Sequence, residues 1–192
     1  MSSSVDQQLL TKPAFFVCDI QERFRPAIFE FPSLVATSRR LLEIARLFKI
    51  PVLVTEQNPR ALGTTVAELE LAKLGNLHAG TFAKTKFSMF IPEVQSKLHE
   101  NGIQTIVLFG LESHVCVLQT TLDLLKNGYV VHIVADAVSS CNKEEIPIAL
   151  ARLRQAGAIV TTSESLAFQL MGRSGFHTEL VTHSRLYRRR EL

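Results

Sequence analysis

Tryptophan is absent from the 192-residue chain, and cysteine occurs only three times, as Cys18, Cys116 and Cys141. So small and odd a set in a chain of ordinary size is not a disulfide framework, and the fold is expected to rest on its apolar core. Long hydrophobic runs are missing too. Stretches such as Ile106–Leu111 fall far short of the about 20 apolar residues that span a bilayer, which excludes the membrane as a partner. The first eleven residues have no apolar block of signal-peptide length and no arginine, so the expected location is cytoplasmic. A clear excess of one charge is also lacking. The formal net charge is +3, from 21 basic and 18 acidic residues. Arg185, Arg188, Arg189, Arg190 and Glu191 sit in the last eight residues; 21 less these four and 18 less this one leave 17 of each. A neutral body argues against nucleic acid as a partner, except through that arginine-rich tail.

What is present is ordinary globular material. The chain is 46% hydrophobic and 20% charged, which excludes intrinsic disorder. A chain of this size buries about 70% of its unfolded surface, enough to fold without a structural metal. The sequence divides into an N-terminal extension (1–12), a single domain (13–180) and a basic tail (181–192).

Short, continuous apolar runs rich in β-branched residues punctuate the domain: Ala14–Asp19, Pro51–Thr55, Thr105–Phe109, Val130–Ala135 and Ala158–Thr161. Strands buried on both faces read this way, as in parallel sheets. A weaker signal at Thr81–Ala83 predicts a sixth strand. Amphipathic stretches alternate with these runs at 33–48, 92–101, 115–127, 143–155 and 164–171, two of them stopping at Asn-Gly. The alternation predicts an α/β fold: a three-layer αβα sandwich around a doubly wound, mostly parallel sheet of about six strands.

Ligands of such sheets bind beyond the carboxyl ends of the strands. Those ends carry Asp19, Glu56 and Gln57, then Lys84 and Lys86, then the turn from Gly110 to Cys116, and Asp136. Cys116 opens a predicted helix, where unpaired N–H groups and the helix dipole favour a thiolate; the alternative is a small buried hydrophobe. Asp19 is either a desolvated functional carboxylate or the cap of the next helix. Alternation along the strand turns Cys18 away from Asp19 and into the core. Cys141 is expected to be structural. His114 is too close in sequence to Cys116 for their side chains to meet as a dyad.

Three segments in order carry a resemblance: Asp19-Ile20-Gln21-Glu22-Arg23-Phe24, Lys84-Thr85-Lys86-Phe87-Ser88-Met89-Phe90 and Gly110 to Cys116, with Val134-Ala135-Asp136-Ala137 in support. Across about residues 14–171 the chain resembles the isochorismatase-like cysteine hydrolases, in particular the isochorismatase domain-containing branch of eukaryotes, protozoa included. The resemblance implies an Asp-Lys-Cys triad of Asp19, Lys84 and Cys116. It also implies a non-proline cis peptide between Leu111 and Glu112, and an oxyanion hole from the N–H groups of Glu112 and Cys116. The expected substrate is a small acyl compound or amide, cleaved through a thioester, with Phe24, Gln57, Phe87 and Ser113 as candidate binding residues. Relatives that act on nicotinamide place histidines for a metal where this chain has Thr55 to Thr64, which contains none, so no metal and no cofactor are expected. Relatives that cleave isochorismate lack the cysteine. Homo-oligomers are common in the family, so a second copy of the chain is an expected partner. The alternatives are a non-catalytic binding or scaffold protein of the same fold, and an RNA-directed role through the basic tail, in line with a ribonuclease label used in the branch.

Overall fold

The computed structural model describes residues 10–174; most of the extension, the end of the expected domain and the basic tail lie outside the described residues. Six strands form one sheet: β1 (Pro13–Cys18), β2 (Val52–Gln57), β3 (His78–Lys84), β4 (Thr105–Leu111), β5 (Val130–Ser139) and β6 (Ile159–Thr161). Their spatial order is β3-β2-β1-β4-β5-β6, and every pairing is parallel. The helices are α1 (Phe31–Leu47), the single-turn α2 (Pro59–Leu62), α3 (Pro92–Glu100), α4 (Cys116–Lys126), α5 (Glu145–Gln155) and α6 (Ser163–Ser174).

Both faces of the sheet are covered, which explains why the strands read as unbroken apolar runs. Phe15, Val17, Val107 and Phe109 pack with α1 and α6 residues such as Leu41, Leu42 and Leu166. Ala14, Phe16, Ile106 and Leu108 pack with Val94, Leu98, Val117, Leu124 and Leu153 from α3, α4 and α5. Phe15 and Phe109 meet edge to face on neighbouring strands, with ring centroids 6.2 Å apart, a geometry worth about 0.5–1.5 kcal/mol beyond area burial. Helices α3 and α4 stop where expected, at Asn101-Gly102 and Asn127-Gly128, with both glycines at positive φ.

Two elements differ from the sequence reading. β3 runs to seven residues, longer than its three-residue signal. It is an edge strand with mixed exposure, so no continuous apolar run was needed to build it. β5 continues past Ala135 to Ser139, after a register shift against β4 between Leu108 and Gly110. The shift leaves Asp136 exposed, accepting from the N–H and hydroxyl of Ser163 at the start of α6. Asp136 is therefore a helix anchor, not a strand-end site residue.

Strand order reverses between β1 and β4, and the crevice outside the carboxyl ends at such a reversal is where ligands of open α/β sheets bind. Asp19 follows β1 and the turn to Cys116 follows β4. Among the described residues no helix is long and apolar enough to cross a membrane.

Candidate active site

Lys84 and Asp19 form a buried ion pair. Lys84 Nζ lies 2.6 Å from Asp19 Oδ2, with 0% and 1% of the two side chains exposed. Lys84 also donates to Gln57 Oε1 at 2.8 Å and to the carbonyls of Phe87 at 2.9 Å and Lys86 at 3.2 Å. Asp19 Oδ1 accepts from the Thr55 hydroxyl at 2.8 Å. An unpaired charge at this depth is costly, and these partners satisfy the ammonium and the carboxylate. Burial lowers the Lys84 pKa, but the electrostatic pull of Cys18, Asp19 and Cys116, with the hydrogen bond to Asp19, outweighs it and leaves the pKa raised. Lys84 thus stays an ammonium.

Cys116 is the first residue of α4 and is nearly buried. Among the described residues, the N–H groups of Glu112 and Cys116 donate to no acceptor, whereas those of Val115 and Val117 both donate to the Glu112 carbonyl. The Leu111–Glu112 peptide is cis. The turn begins at Gly110, with φ +122°; a Cβ there would stand 2.1 Å from the Cys18 carbonyl oxygen, so only glycine lets β4 pass β1 here.

Cys18 is more than core filling. Its thiol donates to the Leu111 carbonyl at 3.1 Å and lies 3.6 Å from Asp19 Oδ2. Burial pushes the Cys18 thiol well above its ordinary pKa, and a hydrogen bond with Cys116 and the charge of Asp19 add to this. Strand alternation predicted that Cys18 and Asp19 point apart. Asp19 instead adopts φ +52°, which ends the strand geometry and swings its carboxylate to the Cys18 side. Cys18 packs in the same cluster as Cys116. Among the described residues no hydrogen bond joins Asp19 directly to Cys116.

Gln21 supports this arrangement from below. It is fully buried and holds Gln57 by accepting from its N–H at 2.8 Å and donating to its carbonyl at 3.0 Å; it also donates to the Gly63 carbonyl. Gln57 in turn receives Lys84 and donates through Nε2 to the Thr85 carbonyl. The residues missed by the sequence reading are thus Cys18, Gln21 and Thr55. Gln21 stood in a quoted motif; nothing local marked Thr55.

Of the candidate binding residues, Gln57 meets Lys84 directly. Phe87 gives Lys84 its carbonyl and leaves its ring 56% exposed. Ser113 takes a different place: fully buried, its hydroxyl and N–H both donate to the Ser139 carbonyl, tying the turn to β5 rather than facing a ligand. The half-buried ring of Phe24 packs against the core of the α1 face, not the cluster that holds Cys116. A cavity of about 380 Å³ beside Lys84 is lined by Asn58, Pro59, Arg60, Ala83 and Thr85. A larger cavity of about 510 Å³, lined by Pro13, Ile50, Pro51 and Ile103 among others, lies where the strands begin and holds none of the candidate residues.

Residues 13–165 match the Isochorismatase domain family, and the chain belongs to it. It is 52% identical over 160 residues to isochorismatase domain-containing protein 1 of Danio rerio, covering 82% of this chain and 54% of that protein. The chain therefore spans about half the length of that relative. Among solved structures, the MAR1 ribonuclease of Caenorhabditis elegans superposes with a TM-score of 0.82 at 44% identity, over 93% of this chain and 91% of that one. The YcaC gene product of Escherichia coli, described as an octameric hydrolase of unknown specificity, shares the fold with a TM-score of 0.82 at 21% identity, over 94% of this chain and 89% of that one.

Proposed function

We propose that the protein is a hydrolase that cleaves a small amide or related acyl compound through a thioester on Cys116. The observation that carries this reading is the buried Lys84–Asp19 pair, whose ammonium interacts electrostatically with Cys116 at the start of α4. Thiolate, not thiol, is the nucleophile, and the Lys84 ammonium and the helix N-terminus both favour it. Asp19 takes the proton from the Cys116 thiol. The sulfur attacks the carbonyl carbon, a C–S bond forms, and the oxyanion is met by the free N–H groups of Glu112 and Cys116. A donor of this kind is worth about 3–4 kcal/mol. The C–N bond then breaks and the leaving amine carries off the proton from Asp19. Water hydrolyses the thioester, releasing the acid and restoring the thiol. Gln57 and the exposed ring of Phe87 border the substrate. None of these steps calls on a metal or cofactor.

The catalytic domain of this reading is residues 13–180, with the basic tail outside the chemistry, in a cytoplasmic protein that self-associates, as the octameric bacterial neighbour does. The test is a panel of small amides and acyl compounds, followed by intact-mass detection of an acyl adduct. An adduct that maps to Cys116 and disappears on addition of water-competent turnover conditions supports the reading. Full turnover of an identified substrate by Cys116→Ala overturns it. The nematode relative's name, a ribonuclease, sets a second arm: RNA cleavage that survives Cys116→Ala would replace the thioester reading with a different chemistry.

A further inference from the structure

We propose a binding site for one zinc-class divalent cation at Glu112, His114 and Cys141, beside the nucleophile turn and separate from the Asp19–Lys84 pair. One donor atom from each of the three residues lies within 4.8 Å of the other two. Tetrahedral zinc, with bonds of about 2.0–2.3 Å, needs donors about 3.3–3.8 Å apart. The three side chains, two half-buried and one exposed, must draw closer together to reach that spacing.

The chemistry of the donors is selective. A carboxylate, an imidazole and a thiolate together suit zinc, cobalt or nickel, whereas magnesium and calcium take oxygen sets. Three protein ligands leave a fourth position open, as in sites that also bind water or an anion.

The surroundings already hold two of the ligands. His114 Nδ1 and the Ser140 hydroxyl are 2.9 Å apart, a contact that fixes the ring as outer partners of metal-bound histidines do. Glu112 Oε2 accepts the Cys141 N–H at 2.8 Å, which brings the two ligand-bearing segments together. Ser113 ties the same turn to Ser139, next to the segment that carries Cys141. The site therefore joins the turn after β4 to the loop after β5. It is distinct from the Thr55–Thr64 segment, which holds no histidine.

The experiment uses the full chain without a histidine tag, kept reduced by a phosphine and free of chelator. Zinc is titrated against a chromophoric competitor, and cobalt(II) serves as a spectroscopic probe. The expected result is one equivalent of tight binding and a thiolate-to-cobalt charge-transfer band. Cys141→Ser, at an exposed position that disturbs no core, abolishes the band and weakens zinc by about 100-fold or more; Ser140→Ala, which frees the His114 ring, weakens it by about tenfold. Cys116→Ser leaves both signals in place. Absence of a band in the wild-type chain overturns the proposal. So does a band that survives Cys141→Ser, or one that is lost in Cys116→Ser instead.

Discussion

Lys84 Nζ stands 2.6 Å from Asp19 Oδ2, with neither side chain reaching solvent, although the two residues come from opposite sides of the β2 strand. Removing one partner of such a pair strands the other as a buried, uncompensated charge, at a cost of about 3–5 kcal/mol. Lys84→Met and Asp19→Asn should each destabilise by that order in urea unfolding. The double variant should lose clearly less than the sum, because it leaves no naked charge. Simple additivity would show that the two charges do not depend on each other.

The three thiols should react in a fixed order. Cys116 opens α4 within the electrostatic reach of the Lys84 ammonium and keeps 7% of its surface exposed, against none for Cys18, so iodoacetamide near neutral pH should label it first. Cys141 is exposed, but its hydrogen bond with Glu112 pushes its thiol pKa up, and its labelling should come later and rise with pH. Cys18 is fully buried with a strongly raised pKa and should react only on unfolding. Peptide mapping after timed alkylation reads the order, and Cys18 labelled ahead of Cys116 would contradict the site geometry.

Gly110→Ala places a methyl 2.1 Å from the Cys18 carbonyl oxygen, against backbone that cannot step aside. Its cost should lie at or beyond the top of the usual range of about 0.5–3 kcal/mol for a point mutation. Gly128→Ala is the control: φ is also positive, at +83°, but nothing lies within 4 Å, so only the about 1–2 kcal/mol of a left-handed alanine applies. Equal losses in thermal unfolding would mean that the strand crossing is not tight.

His132 lies in β5 with both ring nitrogens buried and, among the described residues, without a partner. Burial lowers its pKa to about 4 from 6.5. The unfolded chain binds this proton more readily than the folded one, so the stability contribution is whole above pH 6.5 and falls as pH drops towards 4. The slope is at most about 1.4 kcal/mol per pH unit. His132→Phe should flatten that part of the stability curve measured between pH 7 and pH 4.5. An unchanged slope would assign the acid sensitivity to other groups.

How much of this was legible in the sequence depends on how local the cause is. Five strands announced themselves, because a doubly covered strand such as β4 has no choice but continuous apolar residues. Asp19, Lys84 and Cys116 were legible as strand-end and helix-start residues. The partners that fix them were not: Thr55 reaches Asp19 across 36 residues and Gln57 reaches Lys84 across 27, and no periodicity encodes such pairings. Cys18 lies in the core as its place in the strand implies, but its nearness to Asp19 was not legible, because alternation is a rule for strands and the left-handed backbone at Asp19 ends the strand one residue early. Ser113 stood among the candidate binding residues, but its hydroxyl is committed to the Ser139 carbonyl.

The position of Lys84 has a consequence for how the protein can fail. Asp19 and Cys116 hang from β1 and β4 in the middle of the sheet, but the ammonium arrives at the tip of β3, which has a neighbour on one side only. Edge elements open at lower free energy than the centre. Peeling β3 from β2 withdraws the cation while the rest of the sheet stays intact. Fold and chemistry therefore have separate breaking points: in rising denaturant, or under pulling on the segment around residue 84, turnover should vanish while the central strands still protect their amides from exchange.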